Sequence, residues 1–333
     1  MIQVADILKA AATIRGVADN TPLVPSAYMS KRYGHEFLLK LENMQPIGAF
    51  KLRGALTAVN NLSDTVTGVT CCSTGNHGRG VAFAAAKRGM RAIICMSELV
   101  PKAKVDGILA LGAEVVIAGK SQDDALKESL RLVNQDGLVE ISPFDDPYVI
   151  AGQGTIGLEI LQARPDIETL LVPLSGGGLA AGVAAAARAI KPDIKVIGIT
   201  MDRGAAMYAS IQAGHPIEIE EVASLADSLG GGIGLENKLS FAMCRDLLDD
   251  IILVTEQEIY HAMQTLFYED RIVAEGACVV GIAAVQSGKL WLTGPTATII
   301  TGRNVDMAMF SKIMNGDDID LDDVTIKGQH YGA

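Results

Sequence analysis

From residue 68 onward, short apolar runs alternate with longer stretches of helical pattern. "GVTCC" (68–72), "RAIICM" (91–96), "AEVVIA" (113–118), "TLLVPL" (169–174), "KVIGIT" (195–200), "DIILVT" (250–255) and "TATIIT" (296–301) are each four to seven residues long and rich in Val, Ile and Thr. Runs of this length and composition predict buried strands. Between them, "RGVAFAAAKRG", a stretch near 101–111, a stretch from Gln122 and "LAAGVAAAARAI" predict helices, and the N-terminal "MIQVADILKAAATIRG" predicts an amphipathic one. Strands that are apolar on both faces and alternate with helices imply an α/β fold of open, mostly parallel sheets flanked by helices.

Three glycine-bearing turns stand at predicted strand ends: "STGNHG" after 68–72, "SGGG" after 169–174 and "TGRN" after 296–301. In open α/β sheets, ligands bind beyond the carboxyl ends of the strands, so the three turns are candidates to face one cleft. Gly176, Gly177 and Gly178 follow a strand and open a helix. Glycine permits close backbone approach, and the free N–H groups of a helix start suit a phosphate. The same glycines would also serve a tight turn. The pattern is neither G-x-G-x-x-G nor a Walker loop, which favours a single phosphate over a nucleotide. Ser73, Thr74, Asn76 and His77 crowd one turn before a helix, an arrangement that serves either as a cap or as a seat for a carboxylate. Thr301 ends the last strand, where its hydroxyl is available for a cap or for a ligand.

Lys51 sits between Phe50 and Leu52 in "GAFKLRGA". A lysine here either snorkels to solvent or is desolvated, with a lowered pKa that makes its amine a nucleophile. A desolvated lysine combined with a cradle for one phosphate points to pyridoxal phosphate.

Composition narrows the classes. The 333 residues are 49% hydrophobic, enough to bury two sizeable lobes. The net charge is −11 and no basic tract interrupts it, which argues against nucleic acid as a partner. No apolar stretch approaches the roughly 20 residues of a membrane span, and the N-terminus lacks a basic start followed by an apolar run. Five cysteines, an odd number without a C-x-x-C pair, fit free thiols in a reducing cytoplasm. No ligand-spaced histidine pair suggests a metal site.

In this order, the four motifs resemble those of the fold type II pyridoxal-phosphate enzymes, specifically the threonine dehydratase / serine racemase family, over nearly the whole chain. Within that family, "STGNHGRG", "FDDPYVIAGQGTIGLE", "RGAAM", "ADSLGGGIGLEN" and "TGRNVDM" are similar to the dehydratases of hydroxyectoine utilisation. The resemblance implies a two-lobe, tryptophan synthase β-like architecture. Residues 1–54 and 148–333 would form a large cofactor-binding domain and 55–147 a small mobile one. It also implies a homodimer.

Site residues follow from the same resemblance. Lys51 would hold pyridoxal 5'-phosphate as an imine, with Phe50 against the ring. Asn76 would meet the 3-hydroxyl and Thr301 the pyridine nitrogen. Ser175, Gly176, Gly177, Gly178 and Leu179 would hold the phosphate, and Ser228 stands where relatives carry a cofactor-touching glycine. Ser73, Thr74, Gly75, Asn76 and His77 would receive the substrate carboxylate. Thr74 also occupies the position of the racemase's second-face base, which makes it a second catalytic candidate beside Lys51. The implied reaction is β-elimination from a β-hydroxy amino acid, giving a 2-oxo acid and ammonia. An amino-acid racemase and a non-catalytic cofactor-binding protein are the alternatives. Thr200 and Ala206 replace the acidic residues of relatives that bind a divalent cation, with Asp202 nearby, so that site is expected to be absent or rebuilt. Arg303 replaces a common glycine near the cofactor, where it would meet an acidic or polar substrate tail or form a salt bridge elsewhere. The motifs end close to the C-terminus, so a regulatory domain of that position is not expected.

Overall fold

The computed structural model describes every residue except Thr74, Leu99, Pro101 and Ser121, together with all side chains but those of Ala103, Gln122 and Asp123. The chain opens with α1 (Val4–Ile14), whose buried stripe is Ile7, Ala10 and Ile14. Then come β1 (Leu23–Pro25), α2 (Ala27–Tyr33), β2 (Phe37–Lys40) and α3 (Lys51–Asn60).

A first parallel sheet follows. Its strands are β3 (Gly68–Cys72), β4 (Arg91–Met96), β5 (Glu114–Ile117) and β6 (Val139–Glu140), in the order β5-β4-β3-β6. Between them lie α4 (Asn76–Arg88), α5 (Lys102–Leu109) and α6 (Gln122–Asp136). The crossovers are all strand–helix–strand, which is what parallel pairing demands.

The chain then runs through α7 (Pro147–Ala163), β7 (Thr169–Pro173), α8 (Gly178–Ile190), β8 (Lys195–Met201), α9 (Ala206–Ala213), α10 (Leu239–Leu247) and β9 (Asp250–Val254). After α11 (Glu256–Asp270) and α12 (Val280–Gln286), β10 (Thr296–Ile299) returns to the sheet centre and α13 (Met307–Asn315) leaves it. The second sheet has the order β1-β2-β10-β7-β8-β9, with only the edge pair β1–β2 antiparallel. A short antiparallel hairpin, β11 (Ile319–Leu321) with β12 (Val324–Ile326), closes the chain.

Both faces of the larger sheet are covered. Ile156, Ile160, Leu170, Val172, Val183 and Phe241 belong to a core with α7, α8 and α10 on one side, while Leu171, Ile199, Ile259, Met263, Ile282 and Ile313 belong to one with α11–α13 on the other. A separate core built around Leu52, Leu56, Val69, Val81, Ala85 and Ile94 joins α3 and α4 to the smaller sheet. Among the described residues no helix is long and apolar enough to cross a membrane.

Two helix crossings fix where the Lys51 helix lies. At α3–α7, a Cβ on Gly152 would come within 2.6 Å of the Arg53 carbonyl and within 2.7 Å of Gly54 Cα. At α7–α8, a Cβ on Gly182 would lie 2.3 Å from the Ile150 carbonyl. Only glycine allows backbones this close.

The far side of α3 is pinned by charge. Arg53, fully buried, donates from Nε to Glu42 at 2.7 Å and from Nη1 to Glu159 at 2.6 Å. Lys40 Nζ donates to Glu159 at 2.6 Å and to the Thr21 carbonyl at 2.6 Å. Two cations and two carboxylates thus neutralise one another. The Arg53 guanidinium holds the Glu42 carboxyl below its usual value despite burial, and burial lowers the Lys40 ammonium. Residues two apart on a helix point to opposite sides, so Arg53 anchors α3 from the face away from Lys51.

Candidate active site

The three predicted turns converge at the carboxyl ends of β3, β7 and β10. Lys51 is the first residue of α3, and Phe50 before it donates its N–H to the Thr301 carbonyl at 2.9 Å. An antiparallel bridge between Ala49 and Gly302 continues that contact. β10 stops at Ile299 rather than 301, because the chain turns from β2 to meet this segment instead.

The Lys51 amine donates to the Pro143 carbonyl at 2.7 Å and lies 5.4 Å from the centroid of the Phe50 ring. Burial pulls its pKa down to about 8, against a small opposing contribution from Cys71. No carboxylate pairs with it among the described residues, so the cost of the charge is largely uncompensated.

Phe144 links the amine to the glycine turn. A Cβ on Gly176 would lie 2.2 Å from the Phe144 ring, and one on Gly178 would lie 2.8 Å from its backbone. Gly177 caps α8 at φ 89°, in the left-handed region, without a side-chain cap. Ser240 Oγ donates to the Gly176 carbonyl at 2.7 Å and the Cys244 thiol approaches the Gly177 carbonyl at 3.5 Å. Those carbonyls are therefore occupied. The N–H groups of Gly176, Gly177, Gly178 and Leu179 meet no acceptor among the described residues. An uncapped helix start of this kind is an anion seat. It lies across Pro143–Phe144 from a desolvated amine, so these residues fit a phosphate-bearing aldehyde. Ser175 precedes the glycines at partial exposure.

The "STGNHG" turn follows β3. Gly75 is the N-cap of α4 and Asn76 its first residue, again without a side-chain cap. Ser73 is partly exposed, and Thr74 lies outside the described residues. The ring of His77 points inward: Nε2 meets the Ile141 carbonyl at 2.7 Å, while Nδ1 is buried without a partner. Burial and the nearby Lys51 charge push its pKa down to about 3, so the ring is neutral. Any contact that His77 makes with a ligand in the cleft falls to its backbone.

Asn76 and Thr301 are held by residues that the sequence analysis did not single out. Asn76 Nδ2 lies 3.0 Å from both oxygens of Glu275, and its Oδ1 accepts from Asn304 Nδ2 at 2.6 Å. Ser228, assigned to the cofactor by resemblance, donates its hydroxyl to Glu275 at 2.6 Å. The Thr301 hydroxyl lies 3.2 Å from the Cys278 thiol. A signal for Glu275 was available: it is the single charge in the apolar run "IVAEGACVVGIAAV" (272–285).

The two substituted positions are buried, Thr200 within β8 and Ala206 at the start of α9. Thr200 is buried and directs its hydroxyl to Met201 Sδ at 3.4 Å. Arg203, beside Asp202, pairs with Asp323 at the surface. The Arg303 side chain packs along Gly48, where a Cβ would lie 3.2 Å from its Cγ, and its N–H donates to the Gly48 carbonyl at 2.9 Å.

Parallel sheets with ligand turns at their carboxyl ends, a dry amine and an open helix start define a cofactor enzyme. The chain belongs to the family of pyridoxal-phosphate dependent enzymes, which matches residues 14–302. Its cofactor is accordingly pyridoxal phosphate. It is 53% identical over 299 residues to a Sinorhizobium fredii protein assigned provisionally as a threonine dehydratase, covering 89% of this chain and 90% of the relative. It is 39% identical over 318 residues to the L-threonine ammonia-lyase of Thermotoga maritima, covering 95% of this chain and 79% of that one. Among solved structures, maize serine racemase matches with a TM-score of 0.89 at 32% identity, covering 94% of this chain and 97% of the other.

Proposed function

We propose that the protein is a threonine dehydratase-like ammonia-lyase, removing water from a β-hydroxy amino acid to give a 2-oxo acid and ammonia. The observation that carries this reading is the Lys51 amine, desolvated and without a carboxylate partner, opposite the open N-terminus of α8. Relatives named for threonine dehydration and threonine ammonia-lyase support the reaction class.

Pyridoxal phosphate, when bound, supplies an electron sink for the bond broken at Cα. The chain's own groups do the rest. The N–H groups of 176–179 hold the phosphate, with Ser175 beside them, and Phe50 flanks the ring. Asn76 meets the 3-hydroxyl, and Ser228 lies behind it. The turn formed by Ser73, Thr74, Gly75, Asn76 and His77 receives the substrate carboxylate. Lys51, its pKa lowered by burial to about 8, takes the Cα proton as a neutral amine. Thr301 would stand beside the pyridine nitrogen as a neutral hydroxyl, offering it no carboxylate partner. The released enamine tautomerises, and water then exchanges its nitrogen for oxygen, which balances the reaction as substrate to 2-oxo acid plus ammonia.

Residues 55–147, which contain the whole four-stranded sheet, are taken as a small mobile domain closing on 1–54 and 148–333. The working assembly is a homodimer in the cytoplasm, in keeping with cysteines that form no disulfide among the described residues. The substrate class extends from serine and threonine to the hydroxylated diaminobutyrate or hydroxyaspartate of hydroxyectoine-type catabolism.

One assay tests this. Purified, cofactor-loaded protein is given L-serine, L-threonine, a 3-hydroxyaspartate and a hydroxylated diaminobutyrate in turn, and ammonia and 2-oxo acid are measured. Equimolar release from at least one substrate is expected, with none from Lys51→Ala. Inversion at Cα without ammonia would overturn the lyase in favour of a racemase using Thr74. A stable cofactor spectrum with neither product would favour a binding protein.

A further inference from the structure

The Asn76 amide and the Thr301 hydroxyl come from different sheets, yet one turn holds both. Glu275 and Cys278 stand three residues apart, at either end of the 3₁₀ turn Gly276–Cys278 between α11 and α12. Both side chains are buried. We propose that Glu275 and Cys278 are positioning residues, fixing the two polar partners that grip opposite edges of the cofactor ring. The proposal rests on the reading of Asn76 and Thr301 given above.

Glu275 is surrounded by donors. Asn76 Nδ2 reaches both its oxygens at 3.0 Å, Ser228 Oγ donates at 2.6 Å, and the Asn304 N–H donates at 2.9 Å. No cation pairs with it among the described residues. Burial pushes the Glu275 pKa up, and the hydrogen bonds from Ser228, Asn76 and Asn304 oppose that shift, since a carboxylate accepts from all three donors at once. Its charge decides which way Asn76 faces. The amide can present only its NH₂ to an acceptor-only group, so its oxygen turns to Asn304 Nδ2, 2.6 Å away. The Asn76 Nδ2 thus faces both Glu275 oxygens, which fixes the plane of the amide. A buried charge without a counter-ion is expensive to keep, which argues for a use beyond packing.

Cys278 works on the other edge. Its Sγ accepts from the Gly302 N–H at 3.0 Å, donates to the Gly302 carbonyl at 2.9 Å and lies 3.2 Å from Thr301 Oγ1. Burial keeps the thiol protonated, with a pKa near 12. It ties down both Thr301 and the residue after it. Gly302 also touches Glu275, where an added Cβ would come within 2.3 Å of Oε1. The two side chains therefore clamp the 301–304 loop from one side.

The test is made on the holoenzyme by its visible absorbance and the dissociation constant of pyridoxal phosphate, with activity secondary. Glu275→Gln replaces one of the two acceptor oxygens that face Asn76 with an NH₂ and removes the charge on which that amide is oriented. It is expected to shift the absorption maximum and to weaken cofactor binding about tenfold or more. Combined with Asn76→Ala, it should add little to the loss from Asn76→Ala alone, because it acts through that amide. Cys278→Ala should give a smaller spectral shift that Cys278→Ser restores, and this pair carries the test if Glu275→Gln does not fold. An unchanged spectrum and affinity in Glu275→Gln, or in Cys278→Ala, would overturn the proposal, as would losses from Glu275→Gln and Asn76→Ala that simply multiply. If Asn76→Ala itself leaves the spectrum unchanged, the assignment of Asn76 to the ring falls, and the proposal falls with it. A changed Asn76→Ala beside an unchanged Glu275→Gln overturns the positioning role alone.

Discussion

Among the described residues the Lys51 amine makes one hydrogen bond, to the Pro143 carbonyl at 2.7 Å, and its pKa is near 8 against an ordinary 10.5. The sign of the consequence is fixed. Folding favours the neutral amine, so below about 8 the ammonium is held at a cost. That cost is relieved as pH rises from about 8 toward 10.5, where the unfolded chain still binds the proton. The cofactor-free protein should therefore capture pyridoxal phosphate faster as pH rises, with an inflection near 8 in stopped-flow absorbance. An inflection near 10.5 would mean that the amine is solvated. The neighbours of this lysine made it legible in the sequence: charge amid Ala, Phe and Leu is costly. Glu275 carried the same signal in a longer apolar run. His77 shows the limit of that reasoning. A histidine in a polar turn invites a role in the cleft, yet its ring faces the Ile141 carbonyl, because α4 starts at Asn76 and turns the next side chain inward.

Among elements, the strands were the most legible. The apolar runs at 68–72 and 91–96 coincide with β3 and β4, since strands buried on both faces leave no polar position to blur their ends. α7 was not legible. Gly152, Gly154 and Gly157 lower its helix propensity, but those glycines are what let α3 and α8 pack against its backbone. The edge strands β1 and β6 and the hairpin β11–β12 were missed as well, being two or three residues each with too little periodicity to read. The glycine turn gives the sharpest prediction at this scale. Gly176→Ala would drive a methyl into the Phe144 ring, which must move, and Phe144 follows the residue that accepts from Lys51. The dissociation constant for pyridoxal phosphate is expected to rise about tenfold, read by fluorescence titration, with far-ultraviolet circular dichroism unchanged. Unaltered affinity would show that the phosphate sits elsewhere.

Over the whole molecule, the cleft depends on how the two sheets are joined, and α3 is the element that joins them. Its apolar side belongs to the core of the smaller sheet, and Arg53 ties it to Glu42 and Glu159 in the larger one. Arg53→Met removes one of two cations and leaves the buried Glu42 and the partly buried Glu159 with Lys40 alone. A loss of roughly 3–5 kcal/mol is expected in urea unfolding, the range for breaking a buried ion pair. A loss below about 1 kcal/mol would mean that the network is solvated. Nothing in the local sequence announced these pairings. Lys40, Glu42, Arg53 and Glu159 are spread over 120 residues, and charges at that separation cannot be matched without the fold.

The account turns on Lys51 as the residue that carries the cofactor. Borohydride reduction of the loaded protein fixes pyridoxal phosphate to whichever amine holds it, and peptide mass spectrometry then reports the site. The account predicts a single pyridoxyl-modified peptide with the added mass on Lys51, absent from Lys51→Ala. Modification of another lysine, or none under conditions where the visible band is present, would contradict it.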